Sequence, residues 1–236
     1  FFATMDRAGD AVGSALVLGA TGQTGSALVR ELLAGSTPIA TKVVAYGNSR
    51  LPTYNGPNQH LFSGLQAPME DLAGSRVNEL MGFDSIFIHV GTQRRKAGLE
   101  GQIRLEYDNT LAIAKAVKGF GCRNCHIVTS TGANANSSIM YLKTKGRIEE
   151  SLKSLNFDRL CIYRPAALYG GDRTSGFFHR SVLPCLSTLG LVQRIQVDHV
   201  ARAIRLIAGD QSGFRKKDGK VEIYSNTELH QICRAT

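Results

Sequence analysis

The chain has 236 residues, of which 43% are hydrophobic and 20% charged, with 25 glycines and 6 prolines. This composition excludes collagen-like, low-complexity and disordered readings, and at this length one core suffices. The formal charge of +9, from 28 Lys plus Arg against 19 Asp plus Glu, favours an anionic partner without naming the anion.

In chain order, residues 15–18 read as a short apolar strand, followed by a glycine-rich turn and by helical spacing over residues 26–33. Residues 42–46 are expected to form the second strand and 60–62 a third. A helix is predicted over 70–81, a strand over 85–90, a helix over 107–117 and a strand over 126–129. The longest helix is predicted over 138–155, with Ile139, Leu142, Ile148 and Leu152 toward a sheet; a strand follows at 159–163. The pattern loosens over 170–186, as suits a loop that covers a substrate. Residues 199–206 are expected to be helical, 221–224 a strand and 227–233 a last short helix. This alternation predicts an α/β fold, a doubly wound and mostly parallel Rossmann sheet with helices on both faces. One dinucleotide-binding domain is expected over 13–236, with residues 170–190 as a substrate or partner region.

The basic clusters Arg94-Arg95-Lys96 and Arg215-Lys216-Lys217 lie outside any long basic helix and lack interleaved aromatics. A nucleotide is therefore expected and nucleic acid is not. The five cysteines, Cys122, Cys125, Cys161, Cys185 and Cys233, cannot all pair within the chain, which points to a reducing compartment and a cytoplasmic location. Cys122 and Cys125 lack a second pair to complete a zinc site, so no metal is expected. No apolar run has the length to cross a bilayer, and no membrane association is expected. The opening Phe1-Phe2-Ala3-Thr4 has neither the basic start nor the sustained apolar region of a signal peptide.

Gly19, Gly22 and Gly25 sit between the first strand and first helix as G-x-x-G-x-x-G. Such a turn needs unusual dihedrals, close approach to a pyrophosphate and tight helix–sheet contact, and the N–H groups at the helix start supply an anion site. Gly19, Thr21, Gly22, Gln23, Thr24 and Gly25 are accordingly the expected cofactor-binding turn. The second strand ends in Asn48-Ser49-Arg50, without the carboxylate that binds a ribose diol in NAD sites. A guanidinium there suits a 2′-phosphate, so NADP(H) is expected over NAD(H), with Asn48, Ser49 and Arg50 as contacts. The alternative is a solvated Arg50, with Asn48 or Ser49 touching only a hydroxyl.

Tyr141 and Lys145 are four residues apart on one predicted helix face. An ammonium beside a phenol, together with the positive charge of a nicotinamide, favours phenolate and lowers the phenol's pKa. The pair could then exchange a proton with an alcohol or carbonyl during hydride transfer. Ser130, at a strand end, could hold the reacting oxygen.

With these residues assembled, the chain resembles the short-chain dehydrogenase/reductase superfamily, in the atypical NAD(P)-binding branch of the Tat-interacting oxidoreductase-like proteins. The likeness runs from Val17 onward and is clearest in Gly19-Ala20-Thr21-Gly22-Gln23-Thr24-Gly25, Gly91-Thr92-Gln93-Arg94-Arg95-Lys96-Ala97-Gly98 and Tyr141-Leu142-Lys143-Thr144-Lys145-Gly146. Phe157-Asp158-Arg159 and Arg164-Pro165 add to it. The resemblance implies that Tyr141, Lys145 and Ser130 match the catalytic tyrosine, lysine and serine. It implies further that Gly91 and Thr92 pass the nicotinamide ribose and that Pro165 lies beside the nicotinamide ring. The chain departs from the pattern at Ser63-Gly64, where relatives usually carry an acid near adenine, and at Asn48-Ser49, where they are more basic. The leading expectation is an NADP(H)-dependent oxidoreductase for a small carbonyl or alcohol. The alternatives are an NADP(H)-binding regulator that presents the Arg94 region or residues 170–186 to a protein partner, and a nucleotide-sugar epimerase.

Overall fold

The computed structural model describes residues 12–91, 94–170, 193–210, 213, 215–216 and 219–234, with backbone alone at 94–97 and 99. Thr92, Cys185, Lys217 and the stretch 171–192, which holds nearly all of the expected substrate region, lie outside the described residues.

The chain opens with strand β1 (Gly13–Leu18), helix α1 (Gln23–Leu32), β2 (Ala40–Gly47), β3 (Phe62–Gln66), α2 (Met69–Ala73) and β4 (Ser85–Ile88). Helices α3 (Arg94–Ile103) and α4 (Thr110–Gly119) then flank a π-helical turn, Arg104–Asn109. Strand β5 (Asn124–Val128), α5 (Met140–Ser154), β6 (Arg159–Arg164) and the short β7 (Ala167–Tyr169) follow. The chain ends in β8 (Arg194–Gln196), α6 (Val197–Ala208), β9 (Val221–Ser225) and α7 (Asn226–Arg234).

Seven strands form one parallel sheet in the order β3-β2-β1-β4-β5-β6-β9, and β7 and β8 make a separate parallel pair. Because neighbouring residues on a strand face opposite ways, the apolar strands feed two cores. Ala15, Val17, Val43 and Phe87 pack with α1, α6 and α7, whereas Leu16, Leu18, Val44 and Ile86 pack with α2, α4 and α5. Strand order turns back between β1 and β4, and a crevice opens there beyond the strand carboxyl ends.

Four local expectations shift. Residues 59–61 form a 3₁₀ turn and β3 starts only at Phe62, because Asn58 sits at φ 61° with its amide donating to Leu33 O and Gly35 O. The helix predicted over 70–81 stops at Ala73, where Gly74 leaves helical space (φ −127°, ψ −103°), and resumes as a 3₁₀ turn, Val77–Leu80. The helix predicted from 107 is wound as a π turn through Asn109 and becomes α-helical at Thr110. Ile139 does not face the sheet: it precedes the first residue of α5 and is 44% exposed. The strands β7 and β8 are too short, at three residues each, to show a period in sequence.

Candidate active site

The glycine turn is built as its spacing requires. Gly19 lies at φ 78°, and a Cβ there would stand 2.5 Å from His89 O; one on Gly25 would stand 2.4 Å from Gly19 O. The turn closes with Gly22 N–H on Gly19 O at 2.9 Å, and α1 follows with Ser26 N–H on Gly22 O at 3.0 Å. No side chain caps α1 at Gly22 and no acid sits in its first turn, so the positive end of the helix dipole is suited to an anion.

Three clefts touch this turn, and two of them are joined at the end of β4. The larger of these two, about 290 Å³, lies between Gly19, Thr21 and Gly22 and the ends of β2 and β3, with Ser49, Ala67 and Met69 on its wall. The smaller, about 110 Å³, holds Thr24, Tyr141, Lys145, Pro165 and Ala166. His89, Val90 and Gly91 line both, so they form one trough. A trough of two lobes joined beside a helix N-terminus fits two nucleotides joined by a pyrophosphate. Gly19, Thr21, Gly22, Thr24, Ser49, Gly91 and Pro165 therefore converge on it. Gln23 lines a neighbouring cleft with Ser26, Arg30 and Thr53. Asn48 and Arg50 border the trough, but Asn48 Oδ1 accepts from Met69 N–H at 2.9 Å and Arg50 Nη2 donates to Thr21 O at 2.8 Å.

Helix α5 carries Tyr141, Lys145 and Glu149 at i, i+4 and i+8, hence on one face. Its approach is set by Gly146, where a Cβ would stand 2.1 Å from Ala135 N. Lys145 Nζ lies 5.9 Å from the Tyr141 ring centroid, donates to Val90 O at 3.2 Å and pairs with Glu106 Oε2 at 2.9 Å. Both Lys145 and Glu106 are buried. Burial alone would lower the lysine pKa, but the Glu106 carboxylate and Tyr141 outweigh it and raise it. Tyr141 is hydrogen-bonded to Ser130, which the fold thus brings beside the pair. Its phenol pKa nonetheless moves up: burial raises it, Lys145 opposes, Glu106 adds to the rise and Ser130 opposes. The pull of Lys145 anticipated from sequence is present and is outweighed.

Three contributors were not anticipated. Glu106 sits among ordinary polar residues, and nothing in sequence marks it as buried. Glu149, fully enclosed, accepts from Thr129 Oγ1 at 2.6 Å and pairs with Arg164, tying α5 to the ends of β5 and β6; its i+4 spacing from Lys145 was a usable signal. His89 is 8% exposed with no partner at Nδ1 among the described residues, and burial pushes its pKa down to about 3, so the imidazole is neutral. Cys122, Cys125, Cys161 and Cys233 are free and buried, and burial pushes the Cys122 and Cys161 thiols up to about 12. Among the described residues no helix is long and apolar enough to cross a membrane.

No family model matches the chain. It is similar to protein HTATIP2 of Rattus norvegicus, 35% identical over 66% of this chain and 62% of the rat protein, so less than two thirds of that relative is spanned. It is 32% identical to the mitochondrial protein FMP52 of Kluyveromyces lactis over 93% of this chain and 98% of that protein. Among solved structures, the Bordetella bronchiseptica enzyme WbmH in complex with NAD+ shares the fold at a TM-score of 0.64 and 16% identity, over 89% of this chain and 74% of that one.

Two expectations are corrected. NADP(H) is overturned by the structures of like fold, since WbmH, MoeE5 and DesIV are bound to NAD+ or NAD. Locally, the Asn48 amide oxygen is taken by Met69 N–H, and Arg50 spends one guanidinium donor on Thr21 O. A cytoplasmic location is overturned by the fungal relatives, FMP52 proteins named as mitochondrial. Unpaired cysteines indicate a reducing environment and do not single out the cytoplasm. With its doubly wound sheet of the oxidoreductase and epimerase type, the chain belongs to the FMP52 family, a group of atypical short-chain dehydrogenase/reductase proteins related to HTATIP2.

Proposed function

We propose that this protein is an NAD(H)-linked oxidoreductase acting on a small carbonyl or alcohol, with Tyr141 as its acid/base group. The observation that carries the reading is the Tyr141 phenol, bonded to Ser130 and beside the charged Lys145, in a cleft continuous with the glycine turn. A bound nicotinamide supplies or accepts the hydride. The amides from Gly22 onward hold the pyrophosphate, and Gly91 and Pro165 border the nicotinamide half. Lys145 has three N–H bonds; Val90 O and Glu106 take two, and the third would hold a ribose hydroxyl of the bound dinucleotide. Ser130 orients the substrate oxygen toward Tyr141, whose proton passes to that oxygen during reduction. Residues 13–236 are read as one domain, with 170–190 bordering the substrate, and a mitochondrial site of action is proposed on the names of the fungal relatives.

A second reading, nucleotide-sugar epimerisation, is favoured by the fold shared with a UDP-glucose 4-epimerase from Thermotoga maritima, over 94% of this chain and 81% of that one. It uses the same proton and hydride exchange twice at one carbon, with no net change in the dinucleotide. A panel of small carbonyls with NADH, run beside UDP-sugars with NAD+, separates the two. Net NADH consumption that disappears in Tyr141→Phe, with NADH affinity retained, supports the reductase. Sugar inversion without net consumption replaces it with the epimerase. Negligible turnover in both assays, equal in wild type and variant, overturns both and leaves a dinucleotide-binding regulator.

A further inference from the structure

A buried carboxylate held on both oxygens, within reach of a buried ammonium, is an expensive arrangement to place beside a phenol. Glu106 Oε2 pairs with Lys145 at 2.9 Å while its Oε1 accepts from Gln102 Nε2 at 3.1 Å. The π-helical turn Arg104–Asn109 presents it inward, and π turns are frequent at functional sites. The next residue fixes that turn to the helix of the candidate site: Tyr107 OH lies 2.9 Å from Ser151 Oγ on α5, and the Arg147 guanidinium stacks 4.6 Å from its ring. The carboxylate and the Tyr141–Lys145 pair are thus held on mutually anchored elements.

Resting on the reading of Tyr141 and Lys145 above, we infer that Glu106 is a positioning residue whose charge balances the pull of the Lys145 ammonium on Tyr141, so that the phenol holds its proton. Among the described charged and titratable groups around the pair, Glu106 makes the direct ion pair with Lys145, and Glu149 adds a smaller pull on it. His89, reaching in from the end of β4, is neutral. Glu149, on α5 itself, is paired with Arg164 of β6. Arg147 is stacked on Tyr107, on the side of α5 that faces the π turn. The direction of the Tyr141 shift, upward despite an adjacent lysine, agrees with the geometry. Poised in this way, the site is set to donate a proton, and its resting form suits reduction of a carbonyl more than oxidation of an alcohol.

The test is a pH titration of the full chain without dinucleotide, labelled with ¹³Cζ-tyrosine, in which Tyr141 is the resonance missing from Tyr141→Phe. In Glu106→Gln, the Tyr141 resonance is expected to titrate at lower pH, by on the order of one unit. Glu106→Asp, which keeps the charge but withdraws it by one methylene, moves it in the same direction and less. Where Glu106→Gln does not fold, Glu106→Asp carries the test. A Tyr141 titration that stays in place in the folded variants overturns the inference, as does a shift to higher pH. A carboxylate that merely fills its niche would change stability and leave this titration alone. Because the measurement needs neither turnover nor cofactor, its outcome is separate from that of the substrate assays; where turnover is found, the alkaline limb of the reductase profile moves with the titration.

Discussion

Burial sets the protonation states in the trough. Tyr141 has its pKa raised above the ordinary phenol value, first by desolvation and then by Glu106 against Lys145 and Ser130. The phenol is therefore an acid throughout the neutral range, and carbonyl reduction is expected to be flat with pH there and to fall only above the ordinary phenol value. Alcohol oxidation, which needs the phenolate, is expected to climb over that same alkaline range. Initial rates in both directions check this, and a reductive limb falling between about pH 6 and 8 would refute the assignment of Tyr141 as donor. At the turn, Gly25→Ala forces a Cβ to within 2.4 Å of a backbone carbonyl that has nowhere to move. We expect a loss of about 1–3 kcal/mol in denaturant unfolding, together with loss of measurable NADH binding. The glycines and the Tyr141–Lys145 spacing were legible in the sequence because their chemistry depends on local conformation alone. Glu106 was not, because its orientation is set by a π turn that no period reveals. Asn48 and Arg50 were legible as positions, but their partners, Met69 and Thr21, lie across the turn and emerge only from the fold.

Strand β9 closes the sheet at one edge by its parallel ladder with β6, and a buried ion pair links the two strands. Arg159 Nε donates to Glu222 Oε1 at 2.6 Å, Tyr224 OH donates to the other oxygen, and both charged side chains are under a tenth exposed. Burial would raise the Glu222 pKa, but its bonds from Arg159 and Tyr224 outweigh this and lower it. A carboxyl with a depressed folded pKa contributes stability that is fully present above the ordinary value of 4.5 and is lost as pH falls through the folded value. Glu222→Gln is therefore expected to lose about 3–5 kcal/mol at neutral pH by stranding Arg159, and the gap from wild type should narrow in acid. Urea unfolding at neutral and acidic pH measures it; a gap that stays constant would place the coupling elsewhere. Elements with strong apolar runs, such as β1, β2 and β6, were readable in sequence. The predicted helix over 70–81 was not, since one glycine with Arg76 behind it splits the segment, and Arg76 bonds forward to Glu79 at 2.6 Å instead of continuing the helix.

The whole molecule works as a parallel sheet whose order reverses at β1 and β4, and this reversal puts the glycine turn, the end of β4 and the α5 tyrosine around one trough. The alternation of strands and helices made that architecture legible, because each strand must bury both faces. The partition of apolar residues into two cores confirms the reason. Ligand binding at the trough must then stabilise the entire sheet, since the helix N-terminus and the strand ends that line it exist only in the folded chain. For one site filled at about a hundred times its dissociation constant, linkage gives about 2.7 kcal/mol. For a chain of this size that corresponds to a rise in melting temperature of roughly 5–10 °C. NADH is expected to produce this rise, and AMP, which can occupy only the larger lobe and so binds more weakly, a smaller one at the same concentration. The net charge of +9 further predicts that the NADH response weakens as salt is added, because the protein's field draws the pyrophosphate in. Melting curves unmoved by NADH at low salt would mean that the turn does not receive a pyrophosphate, and the trough would lose its assignment as a dinucleotide site.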